Sequence, residues 1–225
     1  SYFFNKLVTK ILPLKKSEII GDRIVRLVAA FIASNEKDVE NQRQSGEVNT
    51  ELEDIFSSFI DQFIRHILRG IESKDKNVRY RVTQLIAVIM DNMGEIAEDL
   101  YNLMMWSLNK RIYDKEPNVR IQAIFCLTKF QDDENAGDNI DDATQRLLSS
   151  IQNDPSAEVR RAAMLNLVNN KMTRNHILGR ARDINVVNRR LVYSRILKTM
   201  GPQTFVQLET QVINQLLKWG LEDRE

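Results

Sequence analysis

Asp154-Pro155-Ser156-Ala157-Glu158-Val159-Arg160-Arg161-Ala162-Ala163-Met164-Leu165-Asn166-Leu167 reads as a tight turn running into a helix. The proline ring presets φ for a turn, and Ser156 is a residue type that caps the first orphan N–H groups of a helix. Val159, Ala162, Ala163 and Leu167 fall on one helical face, and their small size lets a second helix approach closely. The skeleton is an Asp, a Val-Arg, and small or apolar residues four and eight places past the Val. It recurs as Asp114 with Val119-Arg120, Ala123 and Leu127. It recurs again as Asp75 with Val78-Arg79, Val82 and Ile86, and as Asp22 with Val25-Arg26, Ala29 and Ala33. A weaker copy follows Asp183, with Val187 and Leu191 in place but Arg195 at the third position. The central valines lie about 40 residues apart, the period of a HEAT helix pair. One such pair cannot bury its apolar face alone, so neighbours must stack. The expected fold is all-α, a HEAT-repeat solenoid of antiparallel helix pairs, with residues 1–225 as a single segment.

Composition agrees. The 225 residues are 43% hydrophobic and 28% charged, with only 4 Pro and 8 Gly, a balance typical of water-facing folded chains. A single Cys excludes an internal disulfide framework and suggests a reducing compartment. No apolar run approaches the roughly 20 residues of a membrane span, so no membrane partner is expected. The start, Ser1-Tyr2-Phe3-Phe4, has none of the character of a signal peptide. The chain stops just past Asp223, where another turn and helix should begin, so a piece of a longer solenoid is expected.

Along the chain, the first helix is expected over 2–12 with Phe3, Leu7 and Ile11 inward. The second is expected over 17–34 with Ile19, Ile20, Ile24 and Leu27 as its stripe. Residues 35–52 are polar, acidic and aperiodic, and read as an insertion loop; 131–141 read as another. The remaining pairs are expected at 53–72 with 77–93, 96–113 with 118–130, 142–153 with 157–169, and 173–181 with 185–200. Gly201-Pro202 ends the last of these, and one more helix follows over 203–220.

The net charge of +1 hides segregation. Residues 171–201 carry Lys171, Arg174, Arg180, Arg182, Arg189, Arg190, Arg195 and Lys198 against Asp183 alone, and residues 1–34 are also basic. Folded basic helices between acidic loops suit phosphate neutralisation, a sequence-independent mode of nucleic-acid binding. Charge alone favours the plainer reading of a solvated helix face over nucleic-acid binding. The repeat arginines Arg26, Arg79, Arg120 and Arg160 each follow an Asp by three to six residues, which suits a structural ladder of Asp–Arg pairs between repeats. Lys15, Lys16, Arg189 and Arg190 are adjacent bases near turns, where one side chain of each pair must face outward.

No catalytic constellation appears. His66 and His176 have no Cys or carboxylate at ligand spacing, Cys126 lies between Phe125 and Leu127 on a repeat helix, and no glycine loop is built to cradle phosphate. Trp106 and Trp219 read as core or groove residues. No enzyme activity, metal or cofactor is expected.

Four stretches carry a resemblance: Lys6-Leu7-Val8-Thr9-Lys10-Ile11-Leu12-Pro13-Leu14-Lys15-Lys16, Phe63-Ile64-Arg65-His66-Ile67-Leu68-Arg69-Gly70-Ile71-Glu72-Ser73, Ser107-Leu108-Asn109-Lys110-Arg111-Ile112-Tyr113-Asp114, and Asn188-Arg189-Arg190-Leu191-Val192-Tyr193-Ser194-Arg195. Together they resemble the condensin HEAT-repeat subunit of the G type, the chromosome-associated protein G family, in its fungal form. The resemblance covers nearly all of the chain except the two loops, and only an N-terminal part of the family's subunit. It implies a non-catalytic subunit of the nucleus, chromosome and cytoplasm that acts in mitotic chromosome condensation. It implies binding to the kleisin subunit and, with it, to double-stranded DNA in a basic concave groove. The structural-maintenance-of-chromosomes ATPase pair would be reached only through the complex. Lys15 and Lys16 match DNA-contacting positions of that family, as do Arg189 and Arg190; Arg174, Arg195 and Lys198 join them here from charge clustering. A protein-only HEAT adaptor, of the phosphatase-scaffold or nuclear-transport kind, is the alternative.

Overall fold

A computed structural model describes residues 2–45, 50–94, 96–131 and 140–223, and among them there are helices and turns but no strand. The chain forms two compact units, Ser1–Lys129 and Phe130–Glu225.

The first unit holds α1 (Tyr2–Thr9), α2 (Ile19–Ser45), α3 (Thr50–Leu68), α4 (Lys76–Asp91), α5 (Glu98–Arg111) and α6 (Pro117–Thr128). Odd-numbered helices pack on one another, α1 on α3 and α3 on α5; even-numbered helices form a second row, α2 on α4 and α4 on α6. These two rows are the layers of a helix-pair solenoid. Local sequence sets the ends. The Asp75 carboxylate caps α4 by accepting from the Asn77 N–H at 2.8 Å. Pro117 opens α6 at a place where a missing N–H costs nothing. Between the rows lie Val82, Leu85, Ile86, Ile89, Met104, Leu108, Val119, Ala123 and Leu127, all buried. Phe4, Phe31, Phe59 and Phe63 form a ring cluster with centroids 5.1 to 6.0 Å apart.

Three expectations for this unit are corrected. Phe3 and Leu7 face solvent and α1 buries Val8; Ile11 is buried as expected, in the turn that follows, together with Leu12. On α2, Ile19, Ile20 and Leu27 are exposed, while Gly21, Val25, Val28 and Ile32 face inward. The α2 stripe, and α1 at Val8, lie one residue out of the expected phase, because the docked neighbour chooses which of two adjacent apolar residues is covered. The α2 helix also does not end at Ser34. It runs to Ser45, with Val39 buried on the same face, so 35–45 is helix rather than insertion loop; 46–49 lie outside the described residues.

The second unit holds α7 (Asp142–Asn153), α8 (Ala157–Asn166), α9 (Arg174–Leu178), α10 (Val186–Leu191), α11 (Leu197–Met200), α12 (Pro202–Gln207) and α13 (Thr210–Glu222). A 3₁₀ turn at Gly179–Arg182 follows α9, and a π-helical turn at Val192–Ile196 joins α10 to α11. The expected loop at 131–141 falls mainly on 132–139, outside the described residues. Asp141 caps α7 through the Thr144 N–H at 2.8 Å. Ser156 caps α8 as expected, and Val159, Ala162, Ala163 and Leu167 are all buried.

Two boundaries differ from expectation. The α8 helix stops at Asn166, where the Gln131 side chain takes over its end, donating to the Asn166 carbonyl and accepting from the Val168 N–H, each at 2.8 Å. The final helix is broken into α12 and α13 by an extended Glu209 with ψ 140°. Gly201 ends α11 at φ 72°, a left-handed conformation that glycine adopts without strain.

The repeat register in this unit is also shifted by one. Val187 is 48% exposed, and the inward valine position is filled by buried Asn188, with Val192 four places on at 0%. Asn188 fits there because its amide is satisfied: it donates to the Ala157 carbonyl at 3.0 Å and accepts from Arg161 at 2.9 Å.

Candidate nucleic-acid interface

Several of the basic side chains are engaged inside the fold. Arg79 of α4 places Nε 2.7 Å and Nη2 3.0 Å from the Asp114 carboxylate of the next repeat. Its Nη1 donates to the Ser73 and Lys74 carbonyls behind it. Arg160 repeats this with Asp183, at 2.8 and 2.7 Å, and with the carbonyls of Asp154 and Pro155. Arg120 makes the backward contact, donating to the Asp114 carbonyl at 2.7 Å. The aspartates also brace their own turns: Asp114 accepts from the Glu116 N–H and Asp183 from the Asn185 N–H. Burial alone would raise the Asp183 carboxyl; the Arg160 fork and these N–H bonds outweigh it and hold the pKa at about 2. Asp114 is shifted downward by the same balance, with Arg79 as its partner.

Arg189 belongs to this ladder. Its Nε and Nη2 lie 2.6 and 3.0 Å from Asp223, and its Nη1 donates to the Asp183 carbonyl at 3.1 Å. The one-residue register shift puts Arg189 where Arg160 and Arg79 stand. Arg26, expected on the ladder, stands outside it: it is exposed, and its Nε reaches only the Asp22 carbonyl at 3.4 Å.

The Asp22 carboxylate is taken instead by Arg81, whose Nη1 donates to it at 2.5 Å and to Gln84 Oε1 at 2.8 Å. Arg81 is fully buried. Its Nε donates to the Leu14 carbonyl at 3.2 Å, and its Nη2 to those of Lys15 at 2.6 Å and Glu18 at 3.3 Å. Burial would raise the Asp22 carboxyl, but the Arg81 and Gln84 bonds lower it overall.

Lys15 and Lys16 stand on the outside of that turn, exposed. Lys16 Nζ donates to Asn118 Oδ1 at 2.8 Å, reaching from the first repeat to the first turn of α6. Between them lies a cleft of about 450 Å³ lined by Lys15, Lys16, Ser17, Lys76, Asn77, Tyr80, Glu116, Asn118 and Val119. It sits where the turns entering α2, α4 and α6 line up. Lys74 and Lys115 are exposed on those same turns. Lys76 Nζ is 3.8 Å from Glu116, both partners being solvent-accessible, so the pair is a weak restraint. Sequence reasoning missed Lys74, Lys76, Lys115 and Asn118. The signal was present in the repeat itself, since each falls within a few residues of a repeat Asp.

In the second unit Arg190, Arg195 and Lys198 are exposed, on α10, the π turn and α11. Arg190 lines an apolar cleft of about 520 Å³ with Tyr193, Leu216, Leu217 and Leu221 among its walls. Arg174, at the start of α9, is half-buried, with Nε 3.4 Å from Asn169 Oδ1. Cys126 is fully buried, its thiol raised by desolvation. His66 pairs with Thr9 at 2.9 Å and His176 with Gln152 at 2.6 Å. Trp106 is exposed beneath Lys110, whose Nζ is 3.7 Å from the ring centroid; Trp219 lies under Arg182 at 5.5 Å.

The family described as sister chromatid cohesion protein PDS5 protein matches residues 1–191. Condensin complex subunit 3 of Saccharomyces cerevisiae is 64% identical, the match covering 100% of this chain and 23% of that protein. Its counterpart in Schizosaccharomyces pombe is 37% identical over 96% of this chain and 22% of its own length. The human protein of the same name is 28% identical over 93% of this chain and 20% of its own length. Among solved structures, a chain in the crystal structure of the S. pombe condensin Cnd3-Cnd2 subcomplex superposes with a TM-score of 0.77 at 36% identity. That match covers 98% of this chain and 26% of the other. The chain therefore spans about a quarter of the length of the curated relatives it matches.

Proposed function

The chain belongs to the family described as sister chromatid cohesion protein PDS5 protein and is homologous to condensin complex subunit 3, and from that premise we propose that it is the DNA-gripping part of a non-catalytic condensin subunit of the G type. The observation that carries the proposal is the basic cleft at the turn edge of the first unit. There Lys15, Lys16 and Lys76 converge from two repeats, while Arg79 and Arg160 are taken up in internal ion pairs. Lysines on short, braced turns meet phosphate oxygens as point charges; they fix a duplex without reading its bases. In the second unit, Arg190, Arg195 and Lys198 extend the same kind of contact, and Arg174 with less reach. Arg189 holds its repeat to Asp223 and supports Arg190 beside it.

The kleisin subunit is the proposed protein partner. The support is that a structurally similar chain was crystallised as part of a Cnd3-Cnd2 subcomplex. Kleisin bound beside the cleft would slow DNA release by closing one side of it, with ATP hydrolysis left to the structural-maintenance-of-chromosomes pair. The proposed setting is the chromosome, with the nucleus and cytoplasm as its compartments. Fluorescence anisotropy with duplexes of unrelated sequence, with and without the kleisin segment, tests this reading. Equal affinity for all sequences, tightened by kleisin, is expected. Kleisin binding without DNA binding would return the protein-only adaptor.

A further inference from the structure

We propose that buried Arg81 is the positioning residue of the DNA-contacting turn, setting where Lys15 and Lys16 stand; this rests on the DNA reading above. The turn from Leu14 to Glu18 is closed on itself by the Lys15 N–H to Glu18 Oε1 bond at 2.8 Å and the Glu18 N–H to Lys15 carbonyl bond at 3.0 Å, which set its shape but do not tie its backbone to the rest of the fold. Lys15, Lys16, Ser17 and Glu18 are exposed, so packing does not hold them. What anchors the backbone of that turn to the second repeat is a guanidinium inserted from α4. It donates to the carbonyls of Leu14, Lys15 and Glu18, and is itself anchored on Asp22 and Gln84.

A rigid planar fork with several donors suits this job, and an ammonium does not. Lysine offers three donors from one point and cannot span carbonyls and carboxylate together. The fit is close enough to dictate a neighbour. A Cβ on Gly21 would stand 2.5 Å from Arg81 Nη2 and 2.6 Å from Cζ, so only glycine leaves room for the fork. Arg81 is distinct from the ladder arginines. Those tie one repeat to the next, whereas Arg81 ties the second repeat to the turn that presents Lys15 and Lys16. A mobile turn would have to be ordered when DNA binds, and that ordering costs affinity. The inserted guanidinium orders the turn in advance.

The test uses the full-length protein with its kleisin partner and two independent perturbations. R81K keeps the charge and loses the fork; G21A keeps Arg81 and crowds its Nη2. Each is made with Lys15 and Lys16 intact and in the K15A/K16A background. Duplex affinity is measured by anisotropy, and amide exchange at Lys15, Glu18 and Gly21 by mass spectrometry. Both changes are expected to speed exchange at those amides. They should weaken duplex binding roughly three- to tenfold, the scale of coupling between residues sharing one network. In the K15A/K16A background that loss should vanish, which a merely structural role would not produce. Unchanged affinity, or an equal loss in the K15A/K16A background, overturns the positioning role while leaving the DNA reading intact. Unchanged affinity of K15A/K16A itself overturns the DNA reading, and the positioning role with it.

Discussion

Arg189 and Asp223 meet as a two-pronged pair, Nε and Nη2 of the guanidinium reaching the two carboxylate oxygens at 2.6 and 3.0 Å. The neighbouring Arg190 is exposed. Adjacent arginines that look alike in the sequence are therefore placed differently, one paired within the fold and one facing solvent.

Reversing each charge separates them. R189E should lower stability by about 2 kcal/mol, less than the roughly 3–5 of a fully buried pair, because the two side chains keep 19% and 22% of their exposure. R190E should leave stability within about 0.5 kcal/mol and weaken duplex binding. Melting temperatures and anisotropy on the two variants check this; equal melting losses would contradict it.

Acid should find the Arg160–Asp183 pair. The Asp183 pKa is about 2 in the fold against an ordinary 3.8. A carboxylate with a depressed folded pKa stabilises the fold above its unfolded value, and that contribution is lost as pH falls through the folded value. The loss should run from about pH 4 down to about pH 2. D183N should unfold more easily at neutral pH and show a shallower decline over that window than the parent. Parallel curves in a pH series of denaturant melts would rule the linkage out.

Removing one partner of the Arg79–Asp114 pair leaves a buried charge. R79A or D114N should each cost about 3 kcal/mol, and the double variant should cost clearly less than their sum, since the two share one interaction. Strict additivity would show that the pair does not couple the repeats.

How much of this was legible follows from what fixes each feature. The repeat copies at Val119 and Val159 are buried as the helical period predicts, because the arginine that follows each valine is tied back to its turn and fixes which arc of the helix faces inward. On α1 and α2 apolar residues stand side by side, Leu7 with Val8 and Leu27 with Val28, so packing against a neighbour, which the chain alone does not display, chose Val8 and Val28. The length of α2 was missed because its last turns are polar and hold a single inward residue, Val39. In the last repeat Val187 looks like the repeat valine, whereas three of the four ladder arginines share an Asp six places before them, Arg79 having Ser73 there. Asp114 with Arg120, Asp154 with Arg160 and Asp183 with Arg189 all keep that spacing, and following it would have moved Arg189 into the ladder. Lys15 and Lys16 stand out in the chain as adjacent bases; Lys76 and Asn118 are marked there only by their nearness to a repeat Asp, and stacking brings them beside that turn.

Cys126 sits at full burial with its Sγ 3.4 Å from the Thr83 carbonyl, and desolvation raises its thiol far above the usual range. Maleimide should label it only under denaturing conditions, at a rate that tracks unfolding. Rapid labelling of the native protein would contradict the packing of α6 against α4.

The central claim is that the turn edge carrying Lys15, Lys16 and Lys76 meets DNA phosphates. The most direct measurement is duplex affinity against salt for the parent and the K15E/K16E/K76E variant, with kleisin bound. A phosphate-binding edge predicts weaker binding to every duplex sequence, and a log–log salt slope flatter by about 0.9 for each phosphate no longer neutralised, at an unchanged melting temperature. An unchanged affinity and an unchanged slope would contradict it, and would leave these lysines as a solvated face.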